Sequence, residues 1–212
     1  MTPRETLISN IANKIISNLA DSLKDSVYKV AIDGYDGAGK TTFADELVID
    51  LKSKKVNVIR SSSDFFHNPR SVRYKLGKGS PEGYFRDSFN YPKLKELLLD
   101  PISEGGSGLY RTQYFNHKTD QIEESFPQKV KENSILVFDG IFLHRDELRQ
   151  YWDYSIFLDV TRAESLRRCF VRDGSGSSDI NAPENRRYVL GQKLYFDKCN
   201  PSKQASFVID NS

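Results

Sequence analysis

Residues 31–43 read AIDGYDGAGKTTF. Gly34, Gly39, Lys40 and Thr41 fit G-x-x-x-x-G-K-[ST], the loop whose backbone N–H groups surround nucleotide phosphates while its lysine reaches the terminal ones. Its flanks agree. Residues 28–32 (YKVAI) before it read as a short strand, and Phe43, Leu47, Val48 and Leu51 after it recur at helical spacing. Strand, glycine loop and helix follow in the order that places a helix N-terminus, with its unpaired donors and positive potential, against bound phosphate. The stretch Gly34, Asp36, Gly37, Ala38, Gly39, Lys40, Thr41 and Thr42 is therefore expected to bind ATP.

Further strand-like runs lie at 56–60, 135–138, 154–159 and 207–210, between helical patterns at 92–99, 144–151, 161–172 and 184–198. Alternation of this kind predicts an α/β three-layer sandwich, a mainly parallel five-stranded sheet with helices on both faces. At the start of the chain, Leu7, Ile11, Ile15 and Leu19 are spaced for an amphipathic helix, with Thr2 and Glu5 in capping-box register and Pro3 at its first position. That pattern does not resemble a signal peptide or a membrane span.

The 212 residues are expected to form a single domain, 1–212, with two departures from the alternation. Residues 101–130, opening on Gly105, Gly106 and Gly108 and continuing as aromatic and polar text, predict a small excursion that holds the second substrate. Residues 173–183, DGSGSSDINAP, predict a mobile lid. A net charge of +2 offers no broad basic field, so neither nucleic acid nor an anionic membrane is expected as a partner. Cys169 and Cys199 lack metal-ligand or C-x-x-C spacing, which points to reduced thiols and a cytoplasmic setting. Homo-oligomer formation is left open.

Three further groups carry the chemistry. Asp139 ends the apolar run ILVFD, and with the Thr41 hydroxyl it is the candidate to hold Mg2+, a helix-cap or turn role being the lesser alternative. Asp64 follows the second strand, at the sheet edge where open α/β sheets bind ligands. A carboxylate there would repel a phosphate acceptor but could take the proton of an attacking alcohol; a turn-forming role is the alternative. Arg168 and Arg172 are four apart on one helix face and could clamp transferring phosphoryl oxygens, or simply face solvent. On the acceptor side the candidates are Asp87 for sugar hydroxyls and His117, near Tyr114, for a base, each with a structural reading beside it.

Taken together, VAIDGYDGAGKTTFADEL, SSSDFFHNPR, SPEGYFRDSFNYP, VFDGIFLHRDEL, YWDYSIFLDV, RRCFVRD and FVIDN resemble the uridine kinase-like branch of the P-loop nucleoside and small-molecule kinases. The resemblance implies the P-loop kinase fold. It implies an ATP- and Mg2+-dependent transfer to a hydroxyl, most naturally the 5′-hydroxyl of a pyrimidine nucleoside. Asp64 would be the base, 34–42 the phosphate loop, and Arg168 and Arg172 the lid arginines. Other small alcohols and nucleoside monophosphates stay open as acceptors. A nucleotide-dependent switch is less supported, since no N-K-x-D segment follows and Asp139 begins no D-x-x-G.

Overall fold

The computed structural model describes residues 1–22 and 26–212. Its centre is a five-stranded sheet built from β1 (Tyr28–Gly34), β2 (Asn57–Ser62), β7 (Ser134–Asp139), β8 (Tyr154–Asp159) and β9 (Phe207–Asp210). All neighbours pair in parallel, in the order β2-β7-β1-β8-β9. The helices are α1 (Pro3–Asp21), α2 (Lys40–Ser53), the short α3 (Arg70–Arg73), α4 (Pro81–Asp87) and α5 (Tyr91–Leu94), then α6 (Arg162–Asp173), α7 (Arg186–Cys199) and α8 (Pro201–Gln204).

Side chains alternate across a strand, and here both faces are apolar. Val30, Ile32, Ile135, Val137, Ile156 and Leu158 point to one face and pack with Ile8, Ile11 and Ile15 of α1 and Phe43, Leu47 and Leu51 of α2. Ala31, Ile59, Leu136 and Phe138 point to the other, where they meet Phe66, Tyr84, Phe85, Leu94, Phe142 and Tyr195. A sheet buried on both faces has to carry near-continuous apolar strands, which is why ILVF and SIFL were readable as central strands. No helix among the described residues is long and apolar enough to cross a membrane.

The order of strands also fixes where a ligand can sit. From β1 the chain goes through α2 to β2 on one side, while from β7 it crosses to β8 on the other, so a crevice opens between the carboxyl ends of β1 and β7. The phosphate loop, Asp139 and the end of β2 all border it.

One segment differs from expectation. Residues 144–151 form turns and one 3-10 turn, Arg149–Tyr151, instead of a helix. Phe142 has φ +69°, and the next residues are drawn inward: the His144 N–H is hydrogen-bonded to the Tyr195 hydroxyl, and the Arg145 guanidinium to the Phe85 carbonyl at 2.5 Å. Those tertiary bonds compete with the helical ones. Within 101–130 the chain makes two small antiparallel ladders, β3 (Leu109–Tyr110) with β6 (Gln128–Lys129) and β4 (Phe115–Asn116) with β5 (Gln121–Ile122).

Candidate active site

Two adjoining clefts lie over the carboxyl edge of the sheet. The first, of about 320 Å³, is lined by Asp36, Gly37, Gly39, Lys40, Thr41 and Thr42 of the loop, by Ser62, Ser63 and Asp64 after β2, by Asp139, Gly140 and Ile141 after β7, and by Arg168 and Arg172. Gly39, at φ +84°, turns the chain into α2, and the first N–H groups of that helix have no intrahelical acceptor, so they remain available to an anion. Gly37 sits at φ +72°; a Cβ there would fall 2.5 Å from the Ser165 carbonyl and 2.9 Å from Cys169 Sγ, so the loop is pressed against α6. Ala38 anchors the loop through its carbonyl, which accepts from the Asn211 side chain at 2.8 Å. Lys40 Nζ donates to the Tyr35 carbonyl at 2.7 Å, which holds the ammonium inside the curve of the loop.

Thr41 Oγ1 donates to Asp139 Oδ2 at 2.7 Å, and the other Asp139 oxygen takes Arg60 Nη1 at 2.7 Å. A hydroxyl and a nearly buried carboxylate thus meet at the floor of the cleft. Oxygen donors of this kind suit magnesium, which keeps most of its shell as water and phosphate. Arg168 donates to Glu164 at 2.6 Å and to the Asn211 carbonyl at 2.9 Å. Hydrogen bonds from Arg167 and Arg168 hold the Glu164 carboxyl down to about 2. Arg172 pairs with Asp173 at 2.7 Å.

The second cleft, of about 450 Å³, shares Asp36, Asp64, Ile141 and Arg172 with the first. Asp64 therefore stands on the common wall. Its side chain is 63% exposed to the cleft, yet the cleft walls still limit the water around it. Burial opposes its charge, but His67, His117 and Lys40 outweigh burial and hold the carboxyl below the usual aspartate range. His67 Nε2 lies 3.6 Å from Asp64 Oδ1, while its Nδ1 meets the Ser88 carbonyl at 3.0 Å. Since that carbonyl can only accept, Nδ1 carries a hydrogen, and His67 favours the Asp64 carboxylate in its imidazolium form, with the second hydrogen on Nε2 toward Asp64. His117 packs against the His67 ring at 5.0 Å, and burial followed by His67 pushes it below the usual histidine value.

Not every sequence-predicted acceptor residue reaches this cleft. His117 lines it, whereas Asp87 and Tyr114 do not. Asp87 ends α4, and its carbonyl is bonded by Asn68; the neighbours Ser88 and Phe89 supply the wall instead. The Tyr114 ring lies under the Lys93 ammonium, which is 5.7 Å from the ring centroid. Asp36 borders both clefts. Its backbone belongs to the phosphate loop, but its carboxylate turns to Tyr84 and Gln192, both of the second cleft. Sequence reasoning missed those two along with His67, whose only signal was its place three residues after Asp64.

Beneath the loop lies a buried network. Asp33 receives Gly34 N at 2.7 Å, His144 Nδ1 at 2.8 Å and the Tyr195 hydroxyl, and His144 Nε2 meets Ser155 Oγ at 3.0 Å. This arrangement ties the end of β1 to β8 and α7.

The profile of the phosphoribulokinase/uridine kinase family matches residues 30–177. The chain is similar to the uridine kinase of Ureaplasma urealyticum serovar 10, 25% identical over 68% of each chain. It is also similar to that of Chlamydia pneumoniae, 27% identical over 85% of this chain and 79% of the relative. The fold is that of a possible uridine kinase from Bacillus stearothermophilus, with TM-score 0.71 and 20% identity over 94% of this chain and 97% of the other.

Proposed function

We propose that this chain, which belongs to the phosphoribulokinase/uridine kinase family and is an ATP-dependent kinase, phosphorylates the 5′-hydroxyl of a pyrimidine nucleoside. The observation that carries the reading is the position of Asp64 on the wall shared by the two clefts. Phosphoryl transfer needs donor and acceptor oxygens in line across such a boundary. With ATP on the loop, an acceptor in the second cleft would present its hydroxyl to Asp64, which accepts the proton as the oxygen attacks. Lys40, Arg168 and Arg172 would offset charge on the transferring group, the arginines by exchanging Glu164 and Asp173 for phosphate oxygens. Magnesium, when bound with the nucleotide, neutralises phosphate charge, and Thr41 and Asp139 are the residues to hold it.

The reading takes residues 1–212 as one cytoplasmic kinase domain, with 101–130 bordering the acceptor through His117 and 173–183 as a lid, since Ser175, Gly176 and Ser177 line the second cleft. A second reading, another small alcohol as acceptor, is favoured by the absence of Asp87 and Tyr114 from the lining. Steady-state assays with ATP and magnesium against uridine, cytidine, purine nucleosides, sugars, vitamin precursors and nucleoside monophosphates decide between them. The highest kcat/KM is expected for uridine or cytidine. A clear preference for a non-nucleoside alcohol would establish the second reading, and preference for a monophosphate would refute both.

A further inference from the structure

A carboxylate in a phosphate-binding loop is out of place if it faces the phosphates, because like charges repel in a site of lowered dielectric. Asp36 is such a residue, and the structure turns it away. Asp36 Oδ2 accepts from the Tyr84 hydroxyl at 2.5 Å and from Gln192 Nε2 at 3.1 Å. Both donors are buried, Tyr84 8% and Gln192 5% exposed, and they come from α4 and α7, the two helices that form the back of the second cleft. The loop backbone is held in the same direction, since the Asp36 carbonyl accepts from Ser165 Oγ at 2.5 Å. Asp36 Oδ1 has no protein donor among the described residues. One carboxylate oxygen is thus held by the protein through two residues of the second cleft, and Asp36, like Asp64, stands on the wall that the two clefts share.

We infer that Asp36 is an acceptor-specificity residue: its free oxygen receives a hydrogen bond from a second hydroxyl of the acceptor, beside the hydroxyl that faces Asp64. This rests on the kinase reading above and narrows it. An anionic carboxylate selects a donor group and disfavours an anionic substituent at the same place. The substrate class is therefore a neutral polyol; in a nucleoside the second hydroxyl is the 2′- or 3′-hydroxyl of the ribose. Because a site built around a substrate hydroxyl leaves its own polar group unpaired when the hydroxyl is missing, deoxy acceptors should be discriminated against.

The test compares uridine with 2′-deoxyuridine and 3′-deoxyuridine on the wild type and on Asp36→Asn. Asparagine can keep its carbonyl toward Tyr84 and Gln192, so it preserves the internal bonds and replaces the other oxygen with an amide donor. In the wild type, one deoxy analogue is expected to lose roughly tenfold to a hundredfold in kcat/KM, the usual range for a hydrogen bond to a charged group. In Asp36→Asn that ratio should collapse to within about threefold, with the KM for ATP little changed. Equal ratios in the two proteins would overturn the inference and leave Asp36 a tie between loop and helices. Wild type that accepts both deoxy analogues as well as uridine would overturn it without any variant. If the wild type phosphorylates some other alcohol and no nucleoside, the nucleoside reading fails, and the same comparison with that alcohol and its deoxy form decides Asp36. A best acceptor with a single hydroxyl refutes it.

Discussion

Replacing Asp64 by asparagine removes a charge and nearly all basicity while keeping size and shape. The residue is 63% exposed, and its backbone N–H stays bonded to Ser62 Oγ at 3.3 Å, so folding stability should move by no more than about 0.5 kcal/mol. What changes is the proton acceptor. A positioned general base contributes roughly 10²- to 10⁴-fold, so kcat should fall at least about 100-fold, close to 2.7 kcal/mol of transition-state stabilisation. The KM for ATP should hold, because the loop and Lys40 remain intact. The pH dependence supplies a second reading of the same residue. The carboxyl lies below the usual aspartate range, so its basic form persists as pH falls, and activity is lost only below the pH at which an ordinary aspartate titrates. His67→Asn removes one of the groups that lower it and should move the acidic limb upward; asparagine can still donate to the Ser88 carbonyl. Measurement is by steady-state kinetics on the best acceptor, with ATP binding followed separately by calorimetry. An Asp64→Asn enzyme within about threefold of wild-type kcat would refute the base assignment.

Four further outcomes follow from the same geometry. Lys40→Ala should reduce kcat at least about 100-fold under the proposed role of its ammonium, offsetting charge on the transferring group; near-normal turnover would remove the lysine from the mechanism. Asp139→Asn should raise the magnesium concentration needed for half-maximal rate, and an unchanged titration would count against Asp139 as a metal ligand. Protease cleavage within 173–183 should slow in the presence of ATP analogue plus acceptor, whereas equal cleavage with and without them would make that stretch a linker. Tyr195→Phe takes a donor from buried Asp33 and an acceptor from the His144 N–H, which should cost about 2 kcal/mol and lower Tm by roughly 4–8 °C in thermal unfolding; an unchanged Tm would show the network to be stability-neutral.

What could be read from the sequence was whatever depends on neighbours along the chain. The loop of residues 34–42, the strand ends carrying Asp64 and Asp139, and the four-residue spacing of Arg168 and Arg172 are local patterns, and Asp36, Gly37, Gly39–Thr42, Asp64, Asp139, Arg168 and Arg172 border the first cleft. The acceptor side was poorly legible because its wall is assembled from distant segments. His67, Tyr84, His117 and Gln192 come from four separate parts of the chain. Asp87 and Tyr114 have suitable chemistry in suitable text, but whether a side chain faces a cleft depends on helix phase and on the path of the excursion. Asp36 makes the physical point most sharply. Chain position alone assigns it to the phosphates, since it lies within the loop motif. Its carboxylate is turned by partners 48 and 156 residues away, and only the packing of α4 and α7 beside the loop brings those partners near. A motif specifies the backbone of such a loop; the direction of a side chain that the motif leaves variable is set by the tertiary contacts around it.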